Sequence, residues 1–182
     1  MSVWITSSVA FLILGGYLAL MALRFGIPDM VSDTFYQLTG EASGGGKQSL
    51  VRGLPFTIVL LATAFIMLPC MLSIGGIQPL AFIGCSGLAF VGVAPNYYDR
   101  DEGQVHKISA IIAAIGCTAW CLSVNPWPTV IIAVLYALYL LVKGLLKALD
   151  SIWYISRGIT FHPWYWAEVA AFLDVFVTVW SS

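Results

Sequence analysis

Charge is what this sequence has least of. Charged residues make up 9% of its 182 residues, with eight Lys and Arg against nine Asp and Glu, for a net charge of −1. A soluble domain carries about 25% charge. No basic arm or stripe is present, so nucleic acid is not an expected partner. Histidine is almost as scarce, with His106 and His162 alone. No GxSxG, no HExxH and no histidine in a hydrolase-like pattern occurs. Two histidines at helix ends also argue against a haem held across a membrane. No basic stretch precedes the first apolar run, and the nearest charge, Arg24, follows it. That order is unlike a signal peptide and leads us to expect a retained first helix.

What is present is apolar. Hydrophobic residues reach 60% and mean hydropathy is +0.91. A soluble chain of this size has too much surface for its volume to hide that many apolar groups. Six apolar segments are expected to span a membrane: Val3–Leu23, Leu54–Leu72, Pro79–Ala94, Val105–Leu122, Thr129–Leu149 and Pro163–Trp180. About 17–25 residues fit a bilayer core, so the third is short. The fold class predicted is therefore all-α, a single polytopic bundle of six transmembrane helices.

The basic residues set its orientation. With six spans, Arg24, Lys47, Arg52, Arg100, Lys107, Lys143, Lys147 and Arg157 all fall on one face. Five or seven spans would break that partition. The positive-inside rule puts this face in the cytoplasm and both termini on the other side. A bacterial cytoplasmic membrane is the expected location, with membrane lipids as partners. A second copy of the chain or another membrane protein is left open.

The outer connections, Ser73–Gln78 and Ser123–Pro128, have turn chemistry. The first inner loop has two parts. Ile27–Leu38 (IPDMVSDTFYQL) is expected to form an amphipathic interfacial helix, and Thr39–Gln48 has the composition of a flexible linker. That linker is not a phosphate loop: the first glycine of GxxxxGK would fall on Glu41, and Gln48 stands where Ser or Thr is required.

Small residues predict where helices approach closely. Ser109, Ala113, Cys117 and Cys121 lie on one i,i+4 row, and the preceding span offers Gly84, Gly87 and Gly92. Van der Waals contact drives association in lipid, so these two spans should pack tightly. Cys117 and Cys121 are poorly placed for a disulfide, and all four cysteines, with Cys70 and Cys85, read as small apolar packing. Trp164, Tyr165, Trp166 and Trp180 read as aromatic belts.

The ionisable groups gather at the inner face. His106 and His162 stand there with Asp99, Asp101, Glu102, Asp150 and Glu168. Three readings compete: interfacial anchoring of helix ends, a site for a lipid headgroup or small polar ligand, and a metal site made by His106, His162 and a carboxylate. No cofactor is predicted beyond that metal alternative. Asp174 stands apart, in the outer half of the last span, with no basic residue at its depth. It is expected to be protonated, hydrogen-bonded or in a watered cavity, unless the outer surface solvates it. Six positions, about 240° around the helix, separate it from Glu168.

The stretch Phe90–Ala114 reads FVGVAPNYYDRDEGQVHKISAIIAA. A proline ends a glycine-rich span, an acidic loop follows, and a histidine opens the next helix. This resembles several uncharacterised six-helix membrane families, among them the DRAM group of autophagy modulators. The first loop is similar to that of bacterial integral membrane proteins with IPDMVSDTFYQL-like segments. The resemblance implies a six-helix bundle and importance for Pro95 and His106, and no particular reaction. The alkaline ceramidase and adiponectin-receptor superfamily uses three histidines, an aspartate and a serine around zinc within seven helices. This chain departs from that pattern at the metal ligands, which argues against lipid amide hydrolysis.

The leading expectation is a non-enzymatic membrane protein that binds lipid or a small ligand at its cytoplasmic face. The alternatives are a metal-dependent membrane hydrolase using His106 and His162, and a small proton-coupled transporter using Asp174.

Overall fold

The computed structural model describes residues 2–40, 50–96, 98–153 and 161–182, with the backbone alone for 50–52 and 148–153. The expected linker lies mostly outside the described residues, as do Lys47 and Arg157. The described residues form a helical bundle: α1 (Val3–Phe25), α2 (Asp33–Thr39), α3 (Leu50–Ile74), α4 (Gln78–Val93), α5 (Arg100–Val124), α6 (Pro126–Trp153) and α7 (Pro163–Trp180).

Local chemistry explains the boundaries. Gly26 and Gly40 stop α1 and α2 at φ 84° and 74°, and Gly75 and Gly76 make the α3–α4 turn at φ 108° and 72°. Positive φ is cheap for glycine alone. Pro79 and Pro163 sit in the first turns of α4 and α7, where a missing N–H is no loss. Asp99 caps α5, accepting from the Asp101 and Glu102 N–H groups at 2.9 and 3.1 Å. This cap starts α5 a full turn before Val105, so Asp101 and Glu102 belong to the helix.

Four helices are long and apolar enough to cross a membrane: α1, α3 over Gly53–Ile74, α5, and α6 over Pro126–Lys147. The apolar α4 has 16 residues, and α7, continuous over 18 residues, carries Glu168 and Asp174. Large apolar side chains point outward, Leu23 at 87% exposure and Trp127 at 69%. In water that surface would drive aggregation; in lipid it is the matched exterior.

Hydrogen bonds fix which helix ends meet. Gly75 O accepts from Trp120 Nε1 at 3.0 Å, Ser7 Oγ from Trp180 Nε1 at 3.1 Å, and Ser181 Oγ from Asn125 Nδ2 at 3.2 Å. The end of α3 and the two termini therefore gather at one end, with the α5–α6 turn. The opposite end holds the α1 C-terminus, α2, and the starts of α5 and α7.

The α4–α5 contact is as close as the small-residue rows predict. A Cβ on Gly87 would lie 2.6 Å from Ala113 N and 2.8 Å from Ser109 O; one on Gly116 would lie 2.7 Å from Gly84 N. Gly92 does not join this seam. It faces α3, where a Cβ would meet Leu60 Cβ at 3.0 Å.

Two expectations change. Helix forms over Asp33–Thr39 and not from Ile27, and it is not laid on the surface. Thr34, Phe35, Tyr36 and Thr39 are buried, and the Phe35 ring occupies the space left by the missing side chain of Gly53. Pro28 precedes a bend and turn over residues 29–32, closed by Asp33 N–H to Met30 O at 3.1 Å, so regular helix begins only at Asp33. The aromatic belt is also partial. Trp164 and Trp166 are exposed, but Tyr165 is buried, and Trp180 packs edge-on to Phe11 at 5.1 Å.

Candidate functional site

The segment between α1 and α2, residues 29–34, is the hub of the polar end. Its residues reach three helices, α1, α5 and α7. The Asp29 carbonyl accepts from Tyr165 N at 2.9 Å, so it caps the open N-terminus of α7. The Asp29 carboxylate pairs with His162 Nδ1 at 3.0 Å. Val31 N–H donates to Glu168 Oε2 at 2.6 Å. Ser32 Oγ meets His106 Nε2 at 2.8 Å. Thr34 Oγ1 accepts from Tyr17 OH at 2.8 Å and donates to Val31 O at 2.7 Å. Asp33 Oδ2 accepts from Met30 N at 2.9 Å, closing the turn.

His106 is 5% exposed. Its Nδ1 lies 2.8 Å from the Ala94 carbonyl, which can only accept. Nδ1 therefore carries a proton, and in the neutral ring Nε2 accepts from the Ser32 hydroxyl. The imidazole thus ties the α4 C-terminus to the hub. Nearby, Tyr36 OH donates to Asn96 Oδ1 at 2.9 Å and accepts from Tyr98 N at 3.1 Å. The stretch after α4, including Pro95, is held on both sides.

The expected site residues therefore separate. His106 and Glu168 are brought to one segment, at Ser32 and Val31. His162 reaches the same segment at its exposed end, through Asp29. Asp99, Asp101 and Glu102 form the exposed first turn of α5. The Glu102 and Asp101 N–H groups hold the Asp99 carboxyl below the usual carboxylate range. The side chain of Asp150 lies outside the described residues. Among the described residues, no group of three or more His, Cys, Asp or Glu side chains is placed to hold a metal ion.

Asp174 is at the other end and is 4% exposed, so the outer surface does not solvate it. Thr129 Oγ1 lies 2.9 Å from both of its oxygens. That hydroxyl pins α7 to the first turn of α6.

Beneath the hub lies a cavity of about 120 Å³ between α3, α4, α5 and α7. Val31 and Ser32 form its roof, beside Glu168. Its α3 wall is a helical row, Phe56, Leu60, Thr63, Met67 and Met71. Thr63 is 2% exposed, and its hydroxyl has no hydrogen-bond partner among the described residues. Asp174 does not line this cavity.

Comparison with known protein families, curated proteins and solved structures finds no match to this chain.

Sequence reasoning missed Asp29, Ser32, Thr34 and Thr63. The first three were visible only as polar positions in IPDMVSDTFYQL, which an amphipathic reading assigns to water. Thr63 sat in an apolar run, where threonine normally bonds the preceding turn of its own helix.

Proposed function

We propose that this chain is an integral membrane protein of six spans, α1 and α3 to α7, that binds a lipid or small ligand and catalyses no reaction. The ligand enters at the end where the hub lies, which the positive-inside rule assigns to the cytoplasm. Arg24, Arg100, Lys107, Lys143 and Lys147 belong to that end, so both termini lie on the opposite side. A bacterial cytoplasmic membrane and the likeness to DRAM-type six-helix families belong to this same proposal.

The observation that carries the reading is the cavity. It is apolar through its depth and polar at its roof, the distribution of a site for an amphipathic molecule. An intramembrane carboxylate at its mouth, Glu168, is expensive without a role. Native mass spectrometry from mild detergent tests it, with wild type beside Leu60→Trp, which fills the cavity. A retained small molecule lost in the variant supports binding. A clean polypeptide mass for both, with no added amphiphile taken up, sinks it.

The two other readings are checked in the same preparation. A hydrolase using His106 and His162 requires a metal adduct that His106→Ala removes. Both ring nitrogens of His106 are already hydrogen-bonded, which favours a structural role. A proton-coupled transporter using Asp174 requires flux that Asp174→Asn abolishes. Asp174 is bound to Thr129 and lies off the cavity, which favours a tie between helices.

A further inference from the structure

The floor of the cavity, at the end away from the hub, holds sulfur from three helices. Its lining includes Met67 and Met71 of α3, Cys85 of α4 and Cys117 of α5. Depth along the helices brings them level. Met67 lies seven positions from Ile74, Cys85 seven from Gln78 and Cys117 seven from Val124, the helix ends that gather opposite the hub. At 1.5 Å per residue, each is about 10 Å from that end. Met71 lies one turn beyond Met67 on the same face, and a helical side chain tilts toward its own N-terminus. It therefore leans back to this level, where the Cys85 S–H donates to its Sδ at 3.5 Å. Cys117 stands against the same stretch of α4: a Cβ on Gly84 would lie 2.6 Å from its Sγ. Met71 and Cys85 are both buried. Cys70 faces elsewhere, its thiol donating to the Ile66 carbonyl at 3.3 Å.

We propose that this floor is a site for one soft monovalent cation, Cu(I) or its chemical analogue Ag(I), held between the Cys85 sulfur and the Met71 thioether sulfur. Thiolate and thioether are the ligands that soft ions select. A metal about 2.3 Å from each sulfur spans any S···S separation up to about 4.6 Å, and the 3.5 Å between these two lies within that reach. The flexible Met71 side chain opens or closes the pair without moving a helix. On binding, the Cys85 S–H bond breaks, its electron pair forms the sulfur–metal bond and the proton leaves; nothing is oxidised or reduced. One monovalent ion and one thiolate together carry no net charge, which suits apolar surroundings. Zinc in a structural site takes four ligands, and among the described residues no group of three His, Cys, Asp or Glu side chains is placed to hold it. The site goes beyond the ligand reading above, which concerns the roof and upper wall of the same cavity.

The test is native mass spectrometry of the full chain in mild, chloride-free detergent solution with Ag(I), which shares the ligand preferences of Cu(I) without its redox chemistry. Excess free methionine competes for weak exposed sites. The expected result is one silver per chain, with a mass gain of one silver less one proton. Cys85→Ser should remove it. Met71→Leu, close to volume-conserving, should weaken it at least tenfold, and Cys70→Ser should leave it unchanged. A second measurement needs no variant: copper K-edge absorption of wild type, loaded with Cu(I) under ascorbate, should show sulfur alone in the first shell. No silver retained by wild type, equal retention by Cys85→Ser, unchanged affinity in Met71→Leu, or nitrogen or oxygen in the copper shell would each overturn the site. Silver retained by a protein that takes up no amphiphile leaves this site standing while the ligand reading falls.

Discussion

Ser32 and His106 show how a single buried pair carries much of the polar end. Each is nearly sealed from solvent, and each completes the other's hydrogen bonding. Removing the Ser32 hydroxyl takes away the partner of His106 Nε2 while Nδ1 keeps the Ala94 carbonyl, and the loss of one buried hydrogen bond costs about 1–3 kcal/mol. We expect Ser32→Ala to lower stability by that amount in detergent, read as a lower Tm. Ser32→Thr, which keeps the hydroxyl, should recover part of it. Equal losses for both would show that packing and not the hydroxyl matters. Asp99 offers a contrasting case at the surface. Its folded carboxyl is held below the usual range by the Glu102 and Asp101 N–H groups. The cap's contribution is therefore present above the unfolded carboxylate value of about 3.9, and it is lost as pH falls through the lower folded value. Protection of the Asp101 and Glu102 amides, taken against the intrinsic exchange rate at each pH, should fall in that acid window relative to pH 6. Asp99→Asn, an uncharged cap, should flatten the pH dependence.

Between elements, glycine position decides what a substitution does. Gly87 has the backbone of α5 within 2.6–2.9 Å of where a Cβ would stand. Backbone cannot swing aside, so Gly87→Ala must push α4 from α5. Overpacking of this kind costs about 1–3 kcal/mol. Gly144 lies in α6 with nothing within 4 Å of a Cβ. Gly144→Ala should be neutral or stabilise by up to about 1 kcal/mol, the helix-propensity difference. The pair, compared by Tm, separates a packing glycine from an incidental one. Much of this seam was legible beforehand: the row Ser109, Ala113, Cys117, Cys121 and the glycines at 84 and 87 name it. Gly92 was not legible, because a small residue shows that something comes close without showing which helix. The same holds for α2. Its polar and apolar residues alternate as an interfacial helix should, yet Phe35 and Thr34 turn inward, because the cleft above Gly53 is a property of the assembled bundle.

Over the whole molecule, a six-span path predicts both termini outside and the hub inside. Reporter fusions that are active on one side of the membrane should place the N- and C-termini together on the non-cytoplasmic side. A terminus found in the cytoplasm would refute that topology. The sequence by itself determined the helical class, the positions of the four long apolar helices and the close α4–α5 approach. Those properties are local or compositional: 3.6-residue periodicity and segment length are complete within short windows. Only the tertiary structure decided that Ser32 meets His106 across 74 positions and Val31 meets Glu168 across 137. It also decided that a cavity lies beneath them. Hydrogen-bond partners so far apart are chosen by how helices are arranged around one another, and no short window records that arrangement.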